Sequence, residues 1–363
     1  MGRRLSIQTL RPGIDLRTAE GMLNYIHGYE DREVWIQVGQ ALKGEFGADG
    51  FEAWLAWSEQ ASNFSQKACQ SSWRGFKSNY SIGTIIKFAR EGGYTFDKSD
   101  RPSVTPAEVA RKRMERINRV EAEKAERRVL AANAQSRALT DWRASATSGQ
   151  SAYAQRKGID VPESVRYISP AQGGGLVVPM VRYDLPKDQA LKGLQFISDD
   201  GSKKFTYGME KPGSACRLGT VEEGAPIFIC EGYATGMTLR MALERQWAVY
   251  VAFDAYNLPV VCEAVHKANP NSALVICADD DYLTQVSGRA HNVGRIQAQI
   301  ALDAVMDAGA KLVCRTYPIF SPKTPRGAKD TDFNDLARLE GLAVVRKQLD
   351  MCFEALEHLE VYA

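Results

Sequence analysis

Residues 227–233 read IFICEGY and residues 273–281 read ALVICADDD, and these two runs decide the predicted fold. A short run that is apolar throughout is typical of a strand buried on both faces. The surrounding chain alternates in the same way, with strand patterns at 248–253 and 311–316 and helical patterns at 235–244, 258–268 and 293–308. Such alternation predicts a parallel sheet with flanking helices on both faces. We therefore expect an α/β domain over residues 223–340.

Acidic residues follow the predicted strands at the edge where parallel strands end. Glu231 follows the first strand, and Asp279, Asp280 and Asp281 follow the third. Alternation along an extended chain turns Asp279 and Asp281 to one side and Asp280 to the other. Consecutive carboxylates repel one another and are best tolerated beside a hard cation. The pattern therefore predicts a Mg²⁺ site at this edge of the sheet.

A further acidic segment, KDTDFNDL at 329–336, lies past the fourth predicted strand. Its Asp332 and Asp335 add carboxylates beyond the same sheet. Alternatively, Asn334 and Asp335 cap a helix that begins at Leu336, because these residue types favour helix starts. Both interpretations are kept open at this point.

Upstream of the α/β domain, composition divides the chain into a helical module, a connector and a small subdomain. Residues 18–97 contain helical spacings and four of the six tryptophans, which predicts a small bundle with an aromatic core. Residues 98–148 contain a helix dense in both charges, typical of a solvated spacer. Residues 149–222 contain apolar runs and an Asp-Gly turn, which predicts a small α/β subdomain with antiparallel strands. An N-terminal segment (1–17) and a C-terminal helix (341–363) complete the division.

The bulk composition excludes several classes of protein. With 44% hydrophobic residues and a net charge of +2, the chain is an ordinary globular protein, and any nucleic acid must bind to locally clustered basic residues. The seven cysteines form no CxxC pair, which predicts reduced thiols, no disulfides and no zinc. No run approaches the roughly 20 apolar residues of a membrane span, so we expect a cytoplasmic protein without a membrane partner.

These motifs resemble a known domain. A strand ending in Glu231-Gly232, a later strand ending in Asp279-Asp280-Asp281 and a further acidic segment are similar to the Toprim domain of bacterial-type primases, topoisomerases and related nucleases. The segments YAQRKG (153–158), LVVP (176–179), GLQFI (193–197) and KKF (203–205) resemble the region upstream of Toprim in phage- and plasmid-borne primases. Residues 20–95 resemble the PriCT-2 helical module of mobile-element primases.

The resemblance implies a DNA primase that makes short RNA primers on single-stranded DNA. It implies that Glu231, Asp279 and Asp281 bind Mg²⁺ or Mn²⁺ and act in catalysis, with Asp332 or Asp335 as an outer ligand. The basic residues that it implies for contact with template or nucleotide are Arg156, Lys157, Lys203, Lys204, Lys211 and Arg217. The implied partners are single-stranded DNA, nucleoside triphosphates and a separate replicative helicase, since no GxxxxGK[ST] motif for a fused motor occurs.

The chain departs from bacterial replicative primases in two ways. It has no cysteine or histidine cluster for their N-terminal zinc module, and Thr235 stands where they have an Asp four residues after the Glu. Two alternatives therefore accompany the primase hypothesis. One is a Toprim nuclease that uses the same carboxylates to activate water. The other is a non-catalytic adaptor for replication initiation or helicase recruitment.

Overall fold

The computed structural model describes residues 14–77, 80–95, 106–282 and 292–360. The chain divides into two compact units, Met1–Glu126 and Arg127–Ala363. The boundary between them falls within one long helix, α6 (Pro106–Ala144). Most of the predicted N-terminal segment and the start of the predicted connector lie outside the described residues. The six-part division of the sequence stays a prediction.

The first unit is helical, as the sequence predicts. Its helices before α6 are α1 (Leu16–Leu23), α2 (Arg32–Phe46), α3 (Gly50–Ser58), α4 (Gln66–Gly75) and α5 (Ile82–Glu91). The rings of Trp35 and Trp54 lie with centroids 4.4 Å apart, and Trp57 Nε1 donates a hydrogen bond of 2.8 Å to the carbonyl of Ile26. Trp54 is fully buried. The predicted aromatic core is therefore confirmed.

The second unit contains two sheets. The smaller sheet is antiparallel, and its order is that of the chain: β1 (Arg166–Ile168), β2 (Gly175–Val181), β3 (Leu191–Ser198) and β4 (Lys203–Phe205). A short helix, α7 (Ala152–Arg156), precedes it. The hairpin of β3 and β4 contains the predicted turn at Asp200 and Gly201, where Gly201 has a φ of +91° that favours glycine.

The larger sheet has the order β5-β7-β6-β8-β9. Its strands are β5 (Cys216–Leu218), β6 (Ile227–Cys230), β7 (Val249–Val251), β8 (Leu274–Cys277) and β9 (Val313–Thr316). The strands β7, β6, β8 and β9 run parallel, and only the edge strand β5 is antiparallel to its neighbour. The sequence pattern indicated no strand at β5, which is short and lies outside the regular alternation.

Helices cover both faces of this sheet. They are α8 (Tyr233–Ala242), α9 (Leu258–Ala268), α10 (Val293–Asp307), α11 (Phe333–Glu340) and α12 (Leu342–Glu360). Phe228 and Cys230 of β6 pack in a core with residues of α8 and α12, whereas Ile227 and Ile229 pack in a core with residues of α9 and α10. The predicted Toprim-type arrangement, a parallel sheet with flanking helices, is confirmed. Nowhere in the described part of the chain is a helix both long enough and apolar enough to cross a membrane.

Candidate active site

The register of the sheet brings the predicted carboxylates to one edge. Cys230 of β6 pairs with Cys277 of the neighbouring strand β8, so the residues that follow both strands lie side by side. The backbone N–H of Asp280 donates a hydrogen bond of 2.7 Å to the carbonyl of Thr331, which joins the segment before α11 to the same edge. Glu231, Asp279, Asp281 and Asp332 therefore share one region at the carboxyl ends of the strands, where functional groups of α/β sheets gather.

Burial and the charges of neighbouring carboxylates raise the pKa of three of these groups, Glu231, Asp279 and Asp332. Burial raises the pKa of Glu231 to about 7, with the charges of Asp281 and Asp254 adding to the effect. Burial also raises the pKa of Asp279 well above its usual range, followed by the charges of Glu231 and Asp332. Among the residues that the structure describes, the buried Oδ1 atom of Asp279 has no hydrogen-bond partner. A buried, unpartnered carboxylate oxygen among other carboxylates is a costly arrangement without a compensating cation.

The chemistry of this donor set fits a hard divalent cation. Carboxylate oxygens are the preferred protein ligands of Mg²⁺, which keeps its other positions for water and phosphate. Among the described residues, no three His, Cys, Asp or Glu side chains converge closely enough to hold a metal ion as they stand. Coordination by Glu231, Asp279 and Asp281 would therefore require rotation of their side chains. The residue types and the need of Asp279 Oδ1 for a partner fit the ion, whereas the present side-chain positions in the described part of the chain do not converge on one.

Asp280 faces away from this set, as alternation predicts. Its Oδ1 lies 2.7 Å from Arg295 Nε and accepts a hydrogen bond of 2.8 Å from Asn292, and its Oδ2 lies 3.0 Å from Arg326 Nη1. Two cations and an amide compensate its charge. Asp280 is therefore a structural anchor that fastens the acidic loop to α10 and to the segment around Arg326.

Acidic residues cap helix α11, as one of the two interpretations of this segment predicted, but the helix begins earlier than predicted. The structure begins the helix at Phe333 with Asp332 as N-cap, so the predicted start at Leu336 and the predicted cap at Asn334 are wrong. Asp332 Oδ1 accepts a hydrogen bond of 2.8 Å from the backbone N–H of Asp335, and Asp335 Oδ2 accepts one of 3.4 Å in return. The helix begins at Phe333 because the reciprocal bonds of Asp332 and Asp335 satisfy two backbone N–H groups at the helix start, more than a single later cap would.

Asp332 and Asp335 differ in charge compensation. Asp335 lies 3.7 Å from Lys157 Nζ and 3.7 Å from Arg338 Nη2, so two cations offset its charge. Burial and the charge of Asp335 raise the pKa of Asp332. Of the two, Asp332 is the better candidate for an outer metal ligand.

Asn334 is a positioning residue that the sequence analysis assigned only to capping. Its buried Nδ2 donates hydrogen bonds of 2.7 Å to the carbonyl of Lys157 and 2.9 Å to Thr238 Oγ1. These bonds connect the start of α11 to the end of α7 and to α8. A buried amide with long-range partners gave no local signal in the sequence beyond its place in the acidic segment.

We expect Asn334→Ala to lower the free energy of unfolding by about 1–3 kcal/mol, because it leaves a buried carbonyl and a buried hydroxyl without their donor. Chemical denaturation followed by circular dichroism measures this change. Asn334→Asp, which keeps the shape but replaces the donor with acceptors, should destabilise at least as much. Equal stability of the three proteins would contradict the positioning role.

The predicted basic residues fall into two groups. Lys203 lowers the pKa of Glu231 by its charge, and Lys211 forms an ion pair with Asp254 while its Nζ lies 4.3 Å from the centre of the Phe205 ring. With Lys157, which pairs with Asp335, these lysines border the acidic edge.

The remaining three lie elsewhere. Arg156 donates to the carbonyl of Asp199 at the β3–β4 turn. Lys204 is exposed on β4, where alternation directs it to the side opposite Lys203. Arg217 lies on the edge strand β5 and stacks over the ring of Tyr183, 5.3 Å from its centre. The structure thus brings only half of the predicted basic residues to the acidic edge.

Comparisons with known proteins bear on this architecture. Residues 19–89 match the family "Primase C terminal 2 (PriCT-2)". The N-terminal helical module is therefore similar to PriCT-2. Two Escherichia coli proteins, both named DNA primase TraC, are 35% identical over 173 residues and 33% identical over 174 residues. Each similarity covers 47% of this chain, and it spans 15% of the first relative and 11% of the second.

The crystal structure of the primase fragment of the bacteriophage T7 primase-helicase protein is a weaker match. Its TM-score is 0.37 at 14% identity, covering 55% of this chain and 69% of that fragment. The match to PriCT-2 and the similarity to DNA primases together confirm the predicted resemblance to a phage- or plasmid-type primase. The residues that match PriCT-2 lie in the first unit of the chain, and the acidic edge lies in the second.

Proposed function

We propose that the protein is a DNA primase that joins ribonucleotides on a single-stranded DNA template at the acidic edge. The 3′-hydroxyl oxygen of one nucleotide would bond to the α-phosphorus of the next. The bond from that phosphorus to its bridging oxygen would break, pyrophosphate would leave, and the hydroxyl proton would pass to solvent. The partners are single-stranded DNA, nucleoside triphosphates and a separate helicase, in the cytoplasm of the host of a mobile element.

One observation carries this proposal. Glu231, Asp279 and Asp332 gather at the carboxyl edge of a parallel sheet with raised pKa values, and the buried Oδ1 of Asp279 has no hydrogen-bond partner in the described part of the chain. Bound Mg²⁺ or Mn²⁺ would neutralise these groups and supply charge stabilisation for the reacting phosphate. Glu231, Asp279 and Asp281 would hold it, with Asp332 outside them. The similarity to proteins named DNA primase supports primer synthesis over other uses of such a site.

The chain's own side chains would orient the substrate. Lys203 and Lys211 border the carboxylates and would attract the triphosphate, and the hairpin of β3 and β4 would hold Lys203 in place. Arg295 and Arg326 hold Asp280 and thereby fix the backbone of the acidic loop. Because the two arginines pair with Asp280, the carboxylates of Asp279 and Asp281 would remain available to bind the metal ion.

The test is primer synthesis by the full chain on single-stranded DNA of mixed sequence, with labelled ribonucleoside triphosphates and Mg²⁺ or Mn²⁺. Short products that require the template support the proposal. Degradation of the template that depends on Glu231, without incorporation, would replace it with a Toprim nuclease. Binding of DNA with neither activity, at high enzyme and Mn²⁺ concentration, would favour the adaptor.

We expect Lys203→Gln to raise the KM for nucleoside triphosphate roughly tenfold while kcat changes less, because a charge-assisted contact to phosphate is lost before the chemical step. Initial rates at varied nucleotide concentration measure the two constants separately. Lys187→Gln removes one positive charge from an exposed loop between β2 and β3 and is the matched control. An equal rise in KM for both variants would show a general charge effect instead.

A further inference from the structure

A cleft of about 360 Å³ lies in the same unit of the chain as the acidic edge and is lined by other residues. The end of α6, the segment at β1, strand β2 and the edge strand β5 form it. Its lining includes the side chains of Trp142, Arg166, Tyr183 and Arg217. Its volume falls within the range of small-ligand sites and is large enough for a nucleotide-sized group.

The cleft is separate from the acidic edge. Strand β7 lies between β5 and β6, so Arg217 and the strand that ends in Glu231 are two strand spacings apart, roughly 10 Å. Arg217 pairs with Tyr250 in the middle of β7, before the level at which the parallel strands end. None of the predicted carboxylates and lysines at the acidic edge lines this cleft.

The charge of the cleft is positive. Arg166 and Arg217 both line it, and no acidic residue does so within the described part of the chain. In that same part, neither guanidinium lies within ion-pair distance of a carboxylate: Arg166 instead donates hydrogen bonds of 3.2 Å to the carbonyls of Arg143 and Ser145. Two guanidiniums without carboxylate partners in one cleft favour an anion with several oxygens, such as phosphate.

The two guanidiniums are paired with aromatic rings. Arg166 lies 4.9 Å from the centre of the Trp142 ring, and Arg217 lies 5.3 Å from the centre of the Tyr183 ring. Trp142, Arg166 and Arg217 are half-buried, so part of each side chain remains accessible to a ligand in the cleft. Flat side chains interleaved with guanidiniums form the type of surface on which unpaired bases stack while the phosphates meet the cations.

We propose that this cleft binds a segment of single-stranded nucleic acid, with phosphate at Arg166 and Arg217 and a base stacked on Trp142. The choice of a single strand as ligand rests on the proposed primer synthesis, which needs such a strand beside the acidic edge. The cleft would hold the template away from the reacting atoms and thereby increase its residence on the enzyme. Arg217, predicted from the sequence as a phosphate contact, would act here and not at the carboxylates.

The test is binding of a fluorescein-labelled oligothymidylate to the full chain by fluorescence anisotropy, in EDTA so that no metal at the acidic edge contributes. We expect Arg217→Gln to raise Kd roughly tenfold. The negative slope of log K against log salt should become shallower by about 0.7, which corresponds to the loss of one single-strand phosphate contact. Trp142→Ala should raise Kd by roughly fivefold or more, and Trp142→Phe should restore most of the affinity.

Controls separate the outcomes. Lys187→Gln removes one positive charge outside the cleft and should leave Kd within about twofold of wild type, and circular dichroism checks the fold of each variant. Unchanged Kd and salt slope in folded Arg217→Gln would overturn the proposal. So would Arg217-dependent binding of free thymidine monophosphate as tight as that of the oligonucleotide, which would make the cleft a mononucleotide pocket.

The experiments can contradict the proposed function and the binding cleft independently of each other. If the wild type makes no primers but Arg217→Gln binds the oligonucleotide more weakly than wild type, primer synthesis is wrong and the cleft stands. If primers are made and Arg217→Gln binds as wild type does, the cleft proposal alone is wrong.

Discussion

Glu231→Gln, Asp279→Asn and Asp281→Asn are each expected to lower primer synthesis by about 1000-fold, the loss typical of removing one group that stabilises charge in the reaction. Each substitution keeps the shape of the side chain and removes its charge. The buried Asp279 should be the most sensitive, since no described residue gives its Oδ1 a hydrogen bond that could replace a cation. Quantified incorporation of labelled nucleotide at saturating template measures the effect.

Stability should respond in the opposite direction to activity. Burial and the neighbouring carboxylates raise the pKa of Glu231 and Asp279, so their charged forms are unfavourable in the folded protein. Neutral isosteres remove that repulsion, and we expect the Tm of Glu231→Gln or Asp279→Asn without metal to equal or exceed that of wild type. Added Mg²⁺ should raise the Tm of wild type and not that of the variants, because only the site that binds the ion gains stability from it.

Asp307→Asn is the matched control, since Asp307 is exposed at the end of α10 and the chemical change is the same. It should retain full primer synthesis and the Mg²⁺-dependent rise in Tm. Activity within tenfold of wild type for Asp279→Asn would contradict a catalytic role of the acidic edge. A loss of activity together with a strongly lowered Tm would indicate unfolding instead, and the comparison of Tm values distinguishes the two.

The fold of the second unit was predictable because its signals are local and repeated. Runs such as IFIC at 227–230 and LVIC at 274–277 are apolar throughout, and helical patterns separate them, so element type and parallel order follow from the alternation. The opposite directions of Asp280 and its neighbours also followed from alternation. These inferences need only the residues of one element and its immediate neighbours.

The features that were not predictable depend on contacts between distant residues. Strand β5 forms only because Cys216–Leu218 lie beside β7, and three residues carry too little pattern to indicate a strand. The bonds of Asn334 reach Lys157 and Thr238, which are remote in the sequence. For the same reason the sequence could propose Arg217 as a phosphate contact but could not place it in a cleft with Trp142.

Gly294 is a second residue at the acidic edge that sequence reasoning missed. It lies in the first turn of α10, where its backbone N–H donates a hydrogen bond of 3.2 Å to Asp281 Oδ2. A Cβ atom at this position would lie 2.3 Å from the carbonyl oxygen of Asp279 and 2.8 Å from its carbonyl carbon. The contact is with backbone, which cannot rotate away as a flexible side chain could. Only glycine lets the helix approach the acidic loop this closely.

We therefore expect Gly294→Ala to lower primer synthesis by about 100-fold, because the added methyl group must displace the backbone that carries Asp279, and a shift of about 1 Å in a reacting group can have an effect of this size. The loss should appear in kcat more than in the KM for nucleotide, since Lys203 and Lys211 are not displaced. The Mg²⁺-dependent rise in Tm should shrink as well, since the same displacement moves Asp279 relative to the other carboxylates.

Gly21→Ala provides the matched control for this substitution. It adds the same methyl group within helix α1 of the N-terminal helical module, where a Cβ would meet no described atom within 4 Å. Alanine is favoured over glycine in a helix by about 1 kcal/mol, so this variant should be at least as stable as wild type and fully active. If Gly294→Ala instead matched Gly21→Ala in activity and in its response to Mg²⁺, the close approach of α10 to Asp279 would be irrelevant to the reaction. That result would mean that the acidic loop tolerates a displaced backbone. Carboxylates that bind a metal ion need a fixed geometry, so the result would count against a metal site at this edge.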